Sequence, residues 1–206
     1  MKLKDVKYVA VIGAGIMGHG IAQTFAMGGY QVSLHDIDDA ALSNARKRIR
    51  ANLETFVDNG FISQDKVGET LSRITTTTDL GEAASDADIV IEAVAENIEL
   101  KRKLFNQLDA LCPPKTILAS NSSSLLISDF ASETGRQDRV VLTHWFNPPH
   151  IVPTVEIIKG HETSDETVDL VYALLKKVGK EPVRILKEIP GYLVNRIQLA
   201  MMREVW

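Results

Sequence analysis

The stretch from Tyr8 to Gly20 is an apolar run that breaks into glycines and then resumes as helix formers with Ile21, Ala22 and Phe25. That pattern reads as strand, tight turn and helix. Gly13, Gly15 and Gly18 stand in the order GxGxxG, and each has a separate steric task. The first makes the sharp turn, the second lets the backbone approach a pyrophosphate, and the third lets helix pack closely on strand. The phosphates of a dinucleotide would then rest on the helix N-terminus, where unpaired N–H groups and the helix dipole favour negative charge. Gly13, Gly15, Ile16, Met17 and Gly18 are therefore candidate cofactor contacts.

A glycine triplet alone is weak, and the context strengthens it. A second apolar segment, Gln31 to His35, follows the helix and ends in Asp36, eighteen residues beyond Gly18. A carboxylate at that spacing meets the adenosine ribose hydroxyls and repels a 2′-phosphate, and no Arg follows it closely, so NAD is favoured over NADP.

With 206 residues, a net charge of −4 and 45% hydrophobic residues, the chain can bury one full core and part of a second. No apolar run reaches the roughly 20 residues of a membrane span, and the first residues lack the apolar core of a secretory signal. The expectation is a cytoplasmic enzyme with no membrane partner. The single cysteine, Cys112, excludes an internal disulfide and a Cys-based zinc cluster, and it reads as a bland, partly buried thiol.

From Ala40 to Val57, Leu42, Ala45, Ile49, Leu53 and Phe56 recur at helical spacing. Arg46, Lys47, Arg48 and Arg50 crowd the remaining surface, as a solvated face or as an anion-binding arm for a phosphorylated substrate. Nucleic acid is not expected, because the charge is local and the protein is acidic overall. Ser63 to Leu71 reads as a second short helix capped by Ser63, completing a helical arm. Alternation then resumes: strand Arg73 to Thr77, helix Leu80 to Ala84, strand Asp88 to Ala93, helix Asn97 to Leu111 with Leu100, Leu104, Leu108 and Leu111 on one side, strand Thr116 to Ala119, and strand Arg139 to Thr143 delivering His144. Strands alternating with helices imply a parallel sheet whose ligands bind outside the carboxyl ends of the strands. Beyond the double proline, Thr154 to Lys159 reads as a strand, Asp165 to Val178 as a helix and Pro182 to Leu186 as a last strand. Pro190-Gly191 opens a helix too apolar for a free surface, with no C-cap after Trp206.

His144 is the candidate for proton transfer, since imidazole titrates near neutrality. Glu156, twelve residues on, lies in a strand able to fold back beside it and orient the ring. Other chemistry fails on inspection. HExxH is absent, His144 and His150 across two prolines make a poor metal pair, and Ser122 to Ser124 lack the GxSxG elbow.

Six ordered motifs, Gly13-Ala-Gly-Ile-Met-Gly18, Glu92-Ala-Val-Ala-Glu-Asn97, Ser120-Asn-Ser-Ser-Ser-Leu125, His144-Trp-Phe-Asn-Pro148, Val155-Glu156 and Pro190-Gly-Tyr-Leu-Val-Asn-Arg196, resemble those of the L-3-hydroxyacyl-CoA dehydrogenase family. The resemblance runs from about Val6 to Trp206. It implies a doubly wound Rossmann-type NAD domain with a helical arm over residues 1–188, and over 189–206 the first helix of a truncated all-helical domain that supplies a homodimer interface and part of the substrate cleft. By matching position it implies His144 and Glu156 as the catalytic pair, with Ser123 and Asn195 holding the substrate oxygen. It also implies Asp36, Glu96, Lys101, Ser123 and Asn147 as NAD contacts.

Two departures qualify it. The family's acyl-CoA enzymes place a Ser and a Lys on the arm to hold CoA, where an ungapped alignment puts Asn52 and Asn59 here. The runs Asn147 to Pro153 and Glu96 to Lys103 are also similar to relatives that oxidise free hydroxy acids, such as L-gulonate 3-dehydrogenase. The chain also stops about one helix into the helical domain, so a form that binds NAD but turns over poorly is expected. The readings are therefore oxidation of a 3-hydroxyacyl-CoA, oxidation of a free hydroxy acid on the same fold, or a catalytically idle NAD-binding module.

Overall fold

In a computed structural model, described over residues 1–205, the strands are β1 (Tyr8–Ile12), β2 (Gln31–His35), β3 (Ile74–Thr77), β4 (Ile89–Glu92), β5 (Ile117–Ser120), β6 (Val140–Trp145), β7 (Thr154–Ile158) and β8 (Glu181–Ile185). They form one sheet in the order β3-β2-β1-β4-β5-β6-β7-β8. Helices α1 (Ile16–Met27), α2 (Asp39–Asp58), α3 (Asp65–Ser72), α4 (Leu80–Ala84), α5 (Ile98–Leu111), α6 (Ile127–Phe130), α7 (Asp165–Lys177) and α8 (Val194–Val205) complete the chain.

Side chains alternate across the sheet, so two cores form. Val9 and Val11 of β1 pack with residues of α1, α2, α3 and α7, including Phe25, Ile49, Leu53 and Leu174. Ala10 and Ile12 pack on the other face with residues of α4, α5 and α6, including Phe105, Leu108 and Phe130. This double burial is why the strands read as continuous apolar runs. The polar arms of α2 stay outside, except that Arg46 donates to the Ile74 carbonyl at 2.9 Å and pins α2 to β3.

β1 to β6 pair in parallel as expected, but β7 runs antiparallel to β6. The short connection 146–153 has no room for a crossover helix, so the chain turns back instead. β8 then pairs parallel to β7 after α7 supplies a true crossover.

Smaller expectations need correction. α3 begins at Asp65 with Gln64 at its N-cap and no side-chain cap, so Ser63 does not cap it. Leu100 and Leu111 are exposed, and the buried positions of α5 are Lys101, Leu104, Phe105 and Leu108. Pro190-Gly191 does not open the last helix; Gly191 and Tyr192 adopt φ of 75° and 49°, and α8 starts at Val194. None of its residues is buried, and Ile197, Leu199 and Met201 face outward. The expected missing C-cap at Trp206 lies outside the described residues. No helix among them is long and apolar enough to cross a membrane.

Candidate active site

The strand order reverses between β1 and β4, which opens a crevice at their carboxyl ends. The glycine turn sits there. Gly13 adopts φ of 103°, and a Cβ on it would lie 2.6 Å from the Ala93 carbonyl oxygen, so only glycine fits. A Cβ on Gly18 would fall onto the Gly13 carbonyl, which is the close helix-on-strand contact. At Gly15 a Cβ would meet nothing within 4 Å, so the space over that residue is open.

Helix capping marks the same place. α2, α4, α5 and α7 are capped by the side chains of Asp38, Asp79, Asn97 and Ser164. α1 begins at Gly15 with no side-chain cap and no acidic residue in its first turn, leaving the N–H groups of Ile16 and Met17 for an anion. These residues fit a dinucleotide pyrophosphate. Asp36, at the end of β2, accepts from the Ala14 N–H at 2.7 Å and from the Asp38 N–H at 3.2 Å, so it braces the glycine turn from the ribose side.

Across the crevice, Glu96 organises the serine loop. One carboxylate oxygen accepts from the Ser123 N–H at 3.0 Å, the Ser124 N–H at 2.9 Å, the Leu125 N–H at 3.3 Å and the Ser122 and Ser124 hydroxyls. Burial alone would raise its pKa, but the Ser122 hydroxyl, the Lys101 charge and the Ser124 donors outweigh it and bring it down to about 2. Lys101 is 1% exposed, with its amine 2.6 Å from Glu92 and 3.4 Å from Glu96. Its direct partners here are therefore two carboxylates, and Glu92 also accepts from the Ser120 hydroxyl and the Val94 N–H.

His144 and Glu156 are direct cross-strand partners in the antiparallel β6–β7 ladder. Nδ1 of His144 lies 2.8 Å from Glu156 Oε2, and the two residues are 3% and 0% exposed. The other oxygen, Oε1, accepts from the Leu193 and Val194 N–H groups at 3.1 and 2.9 Å, so the same carboxylate caps α8. Burial pushes Glu156 up, but the His144 ring, the Val194 N–H and the Leu193 N–H prevail and hold it below the usual carboxylate range. Asn195, in the first turn of α8, donates to the Ser123 carbonyl at 2.9 Å. The main chain of Ser123 is thus engaged on both sides. Asn147 is exposed on the turn after β6, followed by a cis bond to Pro148.

The structure brings most of the expected residues together: Gly13, Gly15, Ile16, Met17, Gly18 and Asp36 at the glycine turn, Glu96, Lys101 and Ser123 at the serine loop, and His144, Glu156 and Asn195 next to it, while Asn147 stands exposed on the turn after β6. Three neighbours stand inside the motifs quoted above but had no role assigned to them. Tyr192 is fully buried, donates to the Leu125 carbonyl at 2.7 Å and packs edge-on against His144 with the ring centres 5.2 Å apart. Asn121 accepts from the Trp145 N–H at 2.9 Å, and Glu92 anchors Lys101. A groove of about 890 Å³ lies elsewhere, around Tyr8, Gln31, Arg73, Asp88 and Lys115. Cys112 is buried, which pushes its thiol up to about 11 and makes it inert at neutral pH.

An uncapped helix N-terminus behind a GxGxxG turn, with a carboxylate ending the second strand of a 3-2-1-4-5-6 sheet, defines the NAD-binding domain of an oxidoreductase. More particularly, the chain belongs to the 3-hydroxyacyl-CoA dehydrogenase family, whose NAD binding domain matches residues 8–189. It is 42% identical over 200 residues to a probable 3-hydroxybutyryl-CoA dehydrogenase of Bacillus subtilis, covering 97% of this chain and 69% of that protein. It is 37% identical to a 5-formyl-3-hydroxy-2-methylpyridine 4-carboxylate 5-dehydrogenase of Mesorhizobium japonicum, over 97% of this chain and 63% of that one. The crystal structure of 3-hydroxybutyryl-CoA dehydrogenase from Escherichia coli K12 superposes with a TM-score of 0.94 at 40% identity, covering 98% of this chain and 42% of that chain.

Proposed function

We propose that this site oxidises the 3-hydroxyl of an L-3-hydroxyacyl-CoA to the 3-ketoacyl-CoA. The observation that carries the reading is the buried His144–Glu156 pair, 2.8 Å apart at the mouth of the NAD crevice. When bound, NAD supplies the acceptor for the hydride leaving the substrate's C3. His144 does the proton work. Its Nδ1–H is committed to Glu156, so Nε2 is the free base that takes the hydroxyl proton, and the carboxylate stabilises the resulting imidazolium. The Ser123 hydroxyl and the second amide hydrogen of Asn195 donate to the substrate oxygen as it becomes a carbonyl, and the Asn195 contact with Ser123 keeps both on one side. Glu96 and Lys101 hold the serine loop to that shape, and Asp36 and the α1 N-terminus bind the adenosine ribose and the pyrophosphate. Residues 1–188 form the cofactor domain in this reading and 189–206 begin a separate helical unit, which fits the contrast between the buried face of α7 and the uncovered α8.

One observation favours a free hydroxy acid as the second reading. The Asn52 amide donates to Gln23 at 2.9 Å and the Asn59 amide to the Thr55 carbonyl at 2.8 Å, so the two arm positions aligned with CoA contacts are occupied within the protein. The Mesorhizobium relative is likewise named for a pyridine carboxylate.

The test is NADH consumption with acetoacetyl-CoA beside acetoacetate, a sugar acid assayed in the oxidative direction, and an NADH titration on the same sample. NADH binding with slow turnover of the CoA ester alone is expected. Turnover of free acids alone would move the protein to the second reading, and His144→Ala retaining full turnover would sink the assignment of the base.

A further inference from the structure

Lys180 lies between α7 and β8, is 4% exposed, and has no carboxylate partner among the described residues. Its ammonium instead donates to the carbonyls of Pro149 at 2.5 Å and Val152 at 2.9 Å, and stands 5.5 Å over the Trp145 ring. Both carbonyls belong to the turn that carries Asn147 away from β6. On its opposite side the turn packs against α1, where a Cβ on Gly20 would lie 2.6 Å from Pro149 and 2.9 Å from His150. The turn is thus clamped between the helix that receives the pyrophosphate and a buried cation. The ring of Trp145 lies beneath that cation, and the main-chain N–H of the same residue donates to Asn121 of the serine loop at 2.9 Å.

We propose that Lys180 is a positioning residue for the cofactor: its ammonium closes the Asn147–Val152 turn and sets Asn147 and the serine loop at the far end of the NAD crevice. An unpaired buried ammonium is a costly group, and replacing it with an apolar side chain of similar length is commonly neutral for stability or better. A lysine that served only packing would therefore be dispensable. One that aims the turn is not, because without it two carbonyls lose their donor and the turn is held from one side alone. The inference rests on the reading of Asn147 as a cofactor contact.

The experiment is NADH titration of the whole chain carrying Lys180→Met, Lys180→Arg or Asn147→Ala, with thermal unfolding and amide hydrogen exchange on each. Lys180→Met is expected to bind NADH roughly tenfold more weakly, with a melting temperature lowered by only a few degrees and the domain still folded at the temperature of the titration. Exchange should accelerate at Ile151 and Val152, whose N–H groups bond the Pro148 carbonyl at 3.0 and 2.9 Å, with the rest of the sheet unchanged. Lys180→Arg, which keeps the cation, should recover part of the lost affinity. Parental affinity in Lys180→Met, or a loss of affinity matched by unfolding across the whole domain, would overturn the proposal. If Asn147→Ala binds NADH as the parent does while the turn still loosens in Lys180→Met, the assignment of Asn147 fails, and the link from Lys180 to cofactor binding fails with it.

Discussion

Glu156→Gln separates two tasks that one carboxylate performs. In the parent, Oε2 receives His144 and Oε1 receives the Leu193 and Val194 N–H groups. A glutamine has one oxygen for these three donors. If that oxygen stays on α8, the amide NH₂ opposes Nδ1 of His144, which must then bare Nδ1 and carry its proton on Nε2. The ring is left in the tautomer that cannot act as a base, and the loss of kcat is about 10⁴-fold by analogy with the Asp-to-Asn change in a serine protease triad. If the oxygen turns to His144, two half-buried N–H groups lose their acceptor, at about 1 kcal/mol each, the low end for such groups. Either way a stability loss of about 2 kcal/mol is the upper expectation, from a charge-assisted bond exchanged for a neutral one or from the two α8 N–H groups left without an acceptor. For a domain of this size that lowers the melting temperature by about 6 °C. The acid limb gives an independent check. Glu156 titrates below its usual range when folded, so its contribution is complete above about pH 4.5 and drains away as the pH falls through the depressed value. Glu156→Gln has no such proton to bind, and its stability should depend less steeply on pH there. Scanning calorimetry between pH 7 and 3, with NADH titration to show an intact cofactor crevice, makes the measurement. A variant with parental melting temperature and parental acid dependence would refute the account of Glu156 as the shared acceptor.

Gly15→Ala and Gly18→Ala should part company. The first meets open space and leaves the melting temperature alone while weakening NADH binding more than about tenfold, and the second collides with the Gly13 carbonyl and lowers the melting temperature as well. Glu96, held at about 2 against the usual 4.5, should keep the amides of Ser123, Ser124 and Leu125 protected from exchange at neutral pH and release them between about pH 4.5 and 2. Glu96→Gln should bring that release to neutral pH. Lys101→Met leaves the buried Glu92 carboxylate without its cation and should cost about 3–5 kcal/mol in denaturant unfolding, whereas Lys115→Met should cost less, because the Lys115 amine is exposed and the buried Asp88 keeps the Lys7 and Tyr8 N–H groups as donors.

What was legible followed from local pattern. The boundaries of β2 and α4 were readable to the residue, because a buried parallel strand and a capped short helix carry their own signals in sequence. GxGxxG and Asp36 were legible because backbone sterics and one charge decide them. The antiparallel turn of β7 was less so: periodicity reports whether a segment is a strand, and the length of 146–153 decides its direction. Lys101 illustrates a deeper limit. In sequence it is one cation in the charged run Lys101-Arg-Lys103, and nothing local shows that its amine is enclosed while Arg102 and Lys103 face solvent. Tyr192 and Lys180 were hidden for the same reason, since their partners lie 67 and 31 residues away. Ser63 misled because two hydroxyl-bearing or amide-bearing residues in succession, Ser63 and Gln64, both precede the first helical turn.

The pairing of His144 with Glu156 across the β6–β7 ladder carries an evolutionary consequence. The distance between base and carboxylate is set by strand registry, with no part played by the eight residues that join the strands. The connection itself can therefore change in sequence without moving the pair, provided the ladder from Leu142 to Trp145 re-forms against Val155 to Ile158 and the turn keeps the carbonyls that Lys180 holds. A slip of one position, by contrast, would send Glu156 through the sheet to the opposite layer and silence the pair in a single step.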